Sequence, residues 1–137
     1  MKDITGGCLC GKITYKCKAD FRYFHLCHCK QCQKSTGSAH RANVFTDEVN
    51  LSWLSGVDLI KRYDVPGRAI SNAFCTECGS ALPYLSLAQK IYVVPVGTLD
   101  EPPGIDADAQ IFWDERADWV EHSYSEEHCP RFGTFAE

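Results

Sequence analysis

Two stretches, FCTECGS (74–80) and GGCLCGK (6–12), contain the cysteine pairs that organise this chain. The first is a C-x-x-C knuckle followed by glycine, a spacing typical of structural zinc sites because the glycine permits a tight turn. In the second, C-x-C in extended chain places both sulfurs on one face. Free buried cysteines are the alternative. The two pairs predict one closed tetrahedral zinc site that joins distant segments, with the ligands Cys8, Cys10, Cys75 and Cys78.

A second cysteine cluster lies in CHCKQC (27–32). Cys27 and Cys29 share a face in extended chain, and Cys32 completes a C-x-x-C on a short helix predicted over 29–36. Three thiolates leave tetrahedral zinc one ligand short. His28, between the first two cysteines, is expected to point away from them. The fourth ligand comes either from outside the chain or from one of four residues: Cys17, His25, His40 or Cys129.

Composition narrows the class of protein. A chain of 137 residues with 45% hydrophobic and 23% charged residues suits one globular domain over 1–137. A net charge of -4 disfavours a nucleic-acid partner bound through phosphate neutralisation. The longest clear apolar run, IYVVPV (91–96), is too short to span a membrane. Neither nucleic acid nor membrane is therefore an expected partner.

Nine cysteines in one short chain need an explanation. The N-terminus has no apolar segment of a secretory signal, which predicts a protein of the reducing cytoplasm, where disulfides rarely persist. An odd number of cysteines also fits a fully paired disulfide framework badly. Metal binding accounts for most of them.

Short strand patterns separated by turns predict a mostly β fold. The segment 12–17 alternates apolar and polar residues, and turn signals such as Pro66-Gly67 and Cys78-Gly79 separate the later strands. Strands are predicted over 12–17, 40–45, 49–54, 59–64, 69–74, 90–96 and 109–113.

Basic residues close to the second cysteine cluster are candidates for binding an anionic substrate. They are Lys30, Lys34 and Arg41, of which Lys34 and Arg41 are the predicted substrate-binding residues. A solvated basic face is the alternative interpretation.

Four motifs occur in an order that resembles a known family. They are G-G-C-x-C-G (6–11), C-H-C-x-x-C followed by S-T-G-S (27–38), F-C-x-x-C-G-S-x-L-P-Y (74–84) and G-T-L-D-x-P-P-G (97–104). The chain resembles the CENP-V/GFA family, named for glutathione-dependent formaldehyde-activating enzyme and centromere protein V. The resemblance spans nearly the whole chain.

The resemblance implies a fold of short coiled antiparallel sheets, the Mss-four-like zinc fold, and two zinc ions per chain. The structural ion would take the four cysteines of the first site, and the catalytic ion would take Cys27, Cys29 and Cys32, with its fourth position open. The implied activity is that of a carbon–sulfur lyase. It adds a small thiol such as glutathione to a small aldehyde such as formaldehyde, giving S-hydroxymethylglutathione.

The chain departs from the family pattern at one place near the cluster. It has Gln33-Lys34 where two basic residues are expected, so one positive charge is missing. The alternative function is a non-enzymatic, zinc-stabilised interaction module in which both zincs are structural. The fourth ligand discriminates between the two, because an open position supports chemistry and a protein ligand supports structure. The oligomeric state is not predicted.

Overall fold

The computed structural model describes residues 1–135, most of which form short β-strands and the turns between them. In chain order the strands are β1 Asp3–Gly7, β2 Thr14–Lys18, β3 Tyr23–Cys27, β4 Arg41–Asp47, β5 Leu51–Ser55, β6 Ile60–Asp64, β7 Ser71–Cys75, β8 Ala81–Leu82, β9 Tyr84–Ser86, β10 Ile91–Pro95 and β11 Ala109–Ile111. The α-helices are α1 Lys30–Thr36 and α2 Val120–Ser123, and the 3-10 helices are Glu48–Asn50, Val57–Leu59, Val96–Thr98 and Trp113–Glu115.

The strands form three small sheets. Their orders are β1-β2-β5, β11-β3-β4-β10-β9 and β6-β7-β8. Neighbouring strands are antiparallel except β11, which runs parallel to β3. The predicted mostly β class with several antiparallel sheets and few helices is confirmed.

All seven predicted strands occur, with ends that differ from the predictions by no more than two residues. In β2 the alternation is as predicted, since Tyr15 and Cys17 are fully buried while Lys16 and Lys18 are exposed. Four further strands, β1, β3, β8 and β9, were not predicted. The last two are only two and three residues long, too short to show a period. Pro83 separates them.

The core consists of three buried clusters. One surrounds Ile13 and Leu82, and a second surrounds Tyr15 and Val44. The third contains Cys27, Cys29 and Cys32. The third cluster lies where β3 ends and α1 begins, between β4 and β11 on either side of β3. The five-stranded sheet therefore supports the candidate site. No helix within residues 1–135 is long and apolar enough to cross a membrane.

Candidate functional site

The structure brings together four cysteines from two distant segments. The Sγ atoms of Cys8, Cys10, Cys75 and Cys78 all lie within 4.8 Å of one another. The separation is 3.5 Å for the first two and 3.9 Å between Cys10 and Cys75. Zinc–sulfur bonds of about 2.3 Å in a tetrahedron place the sulfurs roughly 3.8 Å apart. The four-cysteine cluster therefore fits one zinc ion.

Tight turns hold each pair of this cluster. The backbone N–H of Gly11 donates to the carbonyl of Cys8 at 3.1 Å, and that of Gly79 donates to the carbonyl of Cys75 at 2.8 Å. Both glycines have positive φ, 78° and 77°, a conformation that other residues adopt at a cost. The turn predicted at Cys78-Gly79 is confirmed.

Hydrogen-bond donors surround the sulfurs of the knuckle. The backbone N–H of Glu77 donates to Cys75 Sγ at 3.4 Å, and the Ser80 hydroxyl lies 3.3 Å from Cys78 Sγ. Hydrogen bonds from Ser80 lower the pKa of Cys78 to about 5. These contacts favour the thiolate, which is the form of cysteine that binds metal.

The second cluster is built where β3 gives way to α1. Cys27 is the last residue of β3, Cys29 is the N-cap of α1, and Cys32 lies in its first turn. The Cys29 sulfur accepts a hydrogen bond from the Cys32 backbone N–H at 3.3 Å. All three thiols are buried, with their Sγ atoms within 4.8 Å of one another. The predicted helix is confirmed and begins one residue later than expected, at Lys30.

Among residues 1–135, no other His, Cys, Asp or Glu joins this three-cysteine cluster. Of the four residues considered as a fourth ligand, Cys17 is fully buried in the core around β2 and Cys129 is exposed. His25 pairs instead with the carboxylate of Asp108 at 3.3 Å. His40 also stays outside the group of sulfurs. The three sulfurs suit zinc as soft ligands, and within the described chain a fourth position has no protein donor.

Residues around the start of α1 show what Gln33 contacts at the position where the resemblance predicts a basic residue. His28 is fully buried, with Nε2 2.9 Å from Gln110 Oε1 and its ring against Trp113, and it takes no place in the cluster. Gln33 donates through Nε2 to the carbonyls of His28 at 2.7 Å and of Glu115 at 3.0 Å. Gln33 thus connects α1 to the segment after β11. A basic side chain in its place would have to make these contacts differently.

A cavity of about 220 Å³ adjoins the three cysteines, and we call it the cysteine cavity. Cys27 and Cys32 form part of its wall. Much of the remaining wall is apolar and comes from β3, β4, β10 and the segments 68–70 and 111–112. Polar side chains with distinct chemistry also line it: His25, Arg41, Asn43, Arg68 and Gln89.

Two guanidinium groups, Arg41 and Arg68, face the cysteine cavity, and no carboxylate of residues 1–135 does. Arg41 lies opposite Cys27 in the β3–β4 register. A hydrogen bond from Cys32, assisted by the charge of Arg68, lowers the pKa of Cys27 to about 6. The same hydrogen bond raises the pKa of Cys32. The two guanidinium groups give this part of the cavity wall a positive charge, which favours an anionic ligand.

Asn43, Arg68 and Phe112 line this cavity and were not among the predicted site residues. Asn43 is buried in β4, and its Oδ1 has no hydrogen-bond partner within the described chain. A polar residue in the strand pattern 40–45 was the available signal. Phe112 has φ 53°, which is strained for a bulky side chain, and such strain is commonest at functional sites. Its ring lies under the Arg68 guanidinium at 5.5 Å, and no local pattern indicated that contact.

The two predicted substrate-binding residues are placed differently. Arg41 lines the cysteine cavity, whereas Lys34 lines a neighbouring cavity of about 420 Å³ beside α1. Lys30 and Arg41 also contribute to this second cavity, which we call the lysine cavity. The structure therefore brings Arg41 to the cysteines and places Lys34 apart from them.

The fold and site define a small β-rich protein with two cysteine clusters that could hold metal ions. The profile of the GFA family, described as glutathione-dependent formaldehyde-activating enzyme, matches residues 3–115. The chain belongs to this family. A crystal structure of a Rhodobacter sphaeroides protein, a structural-genomics target, resembles it with a TM-score of 0.60 at 18% identity, covering 77% of this chain and 97% of that one. This likeness concerns the fold alone. No curated protein sequence matches the chain significantly.

Proposed function

We propose that this protein is a zinc-dependent carbon–sulfur lyase that forms and cleaves the adduct of a small thiol and a small aldehyde. Glutathione and formaldehyde are the proposed pair, in keeping with the description of the family. The observation that carries the proposal is the three-cysteine cluster, which opens on a cavity and has no fourth protein ligand within residues 1–135. Cys27, Cys29 and Cys32 would hold the catalytic zinc.

The reaction needs a thiolate at neutral pH. Zinc on three cysteines would supply a centre at which an incoming thiol, ordinarily of pKa about 8.5, loses its proton. In the balanced step the sulfur bonds to the carbonyl carbon, the carbon–oxygen double bond becomes single, and the thiol proton ends on oxygen. The reverse step is the lyase reaction. No oxidant or reductant is required.

The chain's own residues would bind and orient the reactants. Arg68, without an ion-pair partner among residues 1–135, would hold a carboxylate of the thiol at the cavity wall. Asn43 Oδ1, buried and without a partner within residues 1–135, would accept a hydrogen bond from the hydroxyl group of the adduct, because an unpaired buried acceptor is costly to leave unsatisfied. The apolar wall would exclude water from the reacting carbon.

The four-cysteine cluster has a separate proposed role. Cys8, Cys10, Cys75 and Cys78 would bind a structural zinc, which is closed because its four ligands come from the chain. Nine cysteines without disulfides support a reducing compartment, and we propose the cytoplasm.

Metal content and exchange kinetics test the proposal together. Protein purified without chelator should contain two zinc equivalents per chain. NMR exchange spectroscopy would then measure the interconversion of formaldehyde and S-hydroxymethylglutathione with and without protein. We expect acceleration by the wild type and none by Cys29→Ala, and Cys17→Ala provides a matched control for loss of a buried thiol outside both clusters.

A second measurement addresses the open position. Cobalt-substituted protein should change its thiolate-to-cobalt charge-transfer band with glutathione or cysteine and stay unchanged with S-methylglutathione. If neither thiol alters the band and no thiol–aldehyde exchange exceeds the spontaneous rate, the enzymatic proposal is wrong. The interaction module with two structural zincs would then replace it.

A further inference from the structure

Three cations, and no carboxylate of residues 1–135, line the lysine cavity. Lys30 and Lys34 stand one turn apart on α1, and Arg41 completes the cationic lining. No Asp or Glu of the described chain lines this cavity. Neither lysine forms an ion pair with a carboxylate in residues 1–135. In a protein of net charge -4, this concentration of cations is local.

Arg41 is the buried member of the set. Only 5% of its surface is exposed. Its terminal nitrogens donate to two neutral acceptors, the Ser71 carbonyl at 3.1 Å and Asn72 Oδ1 at 2.6 Å. Its Nε has no partner within the described residues. No carboxylate of residues 1–135 pairs with this buried guanidinium, and burying a charge is costly because the charge loses its hydration.

The cysteine cluster cannot balance all of these charges. Three thiolates and one zinc ion carry a formal charge of 2 − 3 = −1, and both Arg41 and Arg68 already face them. The two lysines lie in the other cavity. An anion in the lysine cavity would therefore meet two lysines whose charge does not face the cysteine cluster.

Two further features indicate what such an anion would carry. The Oε1 atom of Gln31 is buried in the lining and has no hydrogen-bond partner among residues 1–135. A lone acceptor of this kind requires an N–H or O–H donor. Tyr63, Val65 and Ile70 add apolar surface for a short carbon chain. The lining thus combines cations, one acceptor and an apolar wall.

We propose that the lysine cavity is a binding site, separate from the cysteine cavity, for a small organic anion with a carboxylate or phosphate group and an N–H or O–H donor. Both anionic groups match ammonium and guanidinium donors. Lys30 and Lys34 would hold the anionic group, Arg41 would bind it from the inner side, and Gln31 would accept from the donor.

The test uses the zinc-loaded full chain labelled with nitrogen-15. Glutamate, which has two carboxylates and an ammonium donor, and phosphoethanolamine, which has a phosphate and the same donor, are titrated separately. We expect one of them to shift the side-chain amide signals of Gln31 and Asn72 in a saturable manner. The anion with the lower Kd identifies the preferred anionic group. Lys30→Gln combined with Lys34→Gln should raise that Kd about tenfold, because two charged donors to the anion are lost. Both lysines are exposed, so the double variant should still fold.

Two controls locate the effect. Lys61→Gln removes an exposed positive charge from β6, outside both cavities, and should leave the Kd within about twofold of the wild-type value. Arg68→Gln removes a charge from the cysteine cavity and should likewise leave the Kd of the lysine cavity within about twofold. The proposal is overturned if neither anion shifts the Gln31 and Asn72 signals, or if either control weakens binding as much as the double variant. Since no thiol or aldehyde is present, this result is independent of the proposed lyase activity.

Discussion

Gly56 shows how one residue controls the packing of the N-terminal hairpin. It follows β5 with φ 76°, and a Cβ atom there would lie 2.2 Å from the carbonyl oxygen of Lys12. Gly67, in the turn between β6 and β7, has nearly the same conformation, φ 74°, and no atom within 4 Å of such a Cβ. The two glycines therefore separate the cost of backbone conformation from the cost of a steric clash.

Gly56→Ala should lower the free energy of unfolding by about 3 kcal/mol or more, because left-handed strain and the clash with backbone add together. Gly67→Ala should cost only the strain, about 1–2 kcal/mol. Urea unfolding of both zinc-loaded variants measures the difference. Equal losses would show that the backbone at Lys12 moves aside without cost.

We expect the positive charge of Arg68 to favour substrate thiols that carry a carboxylate. Arg68→Gln should raise the KM of the proposed reaction about tenfold for glutathione, since a charge-assisted hydrogen bond to a carboxylate is lost. The KM for 2-mercaptoethanol, which has no carboxylate, should change little. Steady-state kinetics with both thiols decide the matter, with Lys61→Gln as the control for net charge. A similar rise for both thiols would place the effect of Arg68 on the metal centre instead.

At the scale of elements, the β6–β7 hairpin depends on a polar cluster at its loop end, where Asp64 pairs with Ser71. Asp64 accepts hydrogen bonds from the Ser71 hydroxyl at 2.5 Å and from Arg62 Nε at 2.8 Å. Arg62 also donates to the carbonyl of Leu85 in β9 at 2.7 Å. The hairpin thereby contacts the edge of the five-stranded sheet next to both cavities.

This cluster predicts a pH dependence of stability. The hydrogen bonds from Ser71 and Arg62 lower the pKa of Asp64 below its ordinary value of 3.8. The resulting stabilisation is fully present above that ordinary value and is lost as pH falls through the lower, folded-state pKa. Asp64→Asn should therefore destabilise the protein near neutrality, and the difference from wild type should vanish in stronger acid.

Thermal melts from pH 7 down to about pH 2 measure this difference between the two proteins. Asp58→Asn serves as the matched control, because Asp58 has no ion pair within residues 1–135. A difference that stays constant with pH would contradict the proposed role of the Asp64 charge.

At the scale of the whole molecule, the two cysteine clusters differ in what they connect. The four-cysteine cluster joins segments 65 positions apart, from Cys10 to Cys75. An exposed ion pair between Lys12 and Glu77, 2.7 Å long, crosses the same junction. The three-cysteine cluster spans only residues 27–32. Loss of the first metal would release a long loop, whereas loss of the second would release very little chain.

Cys75→Ala should therefore cripple folding, since a structural zinc contributes on the order of 10 kcal/mol. Cys29→Ala should yield a folded protein that lacks one zinc, with a loss of about 1–2 kcal/mol from the missing N-cap contact. Thermal melts and metal analysis of both variants test this, with Cys17→Ala retaining both zincs as the control. Equal collapse of the two ligand variants would make the second zinc structural as well.

The ligand spacings and most strands could be predicted from the sequence because they are local. The two cysteines of a C-x-C or C-x-x-C pair are only two or three residues apart, so the local backbone conformation fixes the positions of their sulfurs. A strand such as β2 shows its buried face through the alternation of apolar and polar residues. The helix at α1 followed from the same short-range pattern. These features need only a few neighbouring residues, and they were sufficient for the fold class and for the two cysteine groups.

Tertiary packing determined which other side chains meet those cysteines. It placed Arg68, Asn43 and Phe112 in the cysteine cavity and Lys34 in a different one, although Lys34 is only two positions from Cys32. It also paired β11 in parallel with β3, so that Gln110 lies opposite Leu26, 84 positions away in the sequence. These contacts arise where separate sheets and turns pack against one another, so distance along the sequence does not determine them. The periodicity of a sequence segment describes only that one element.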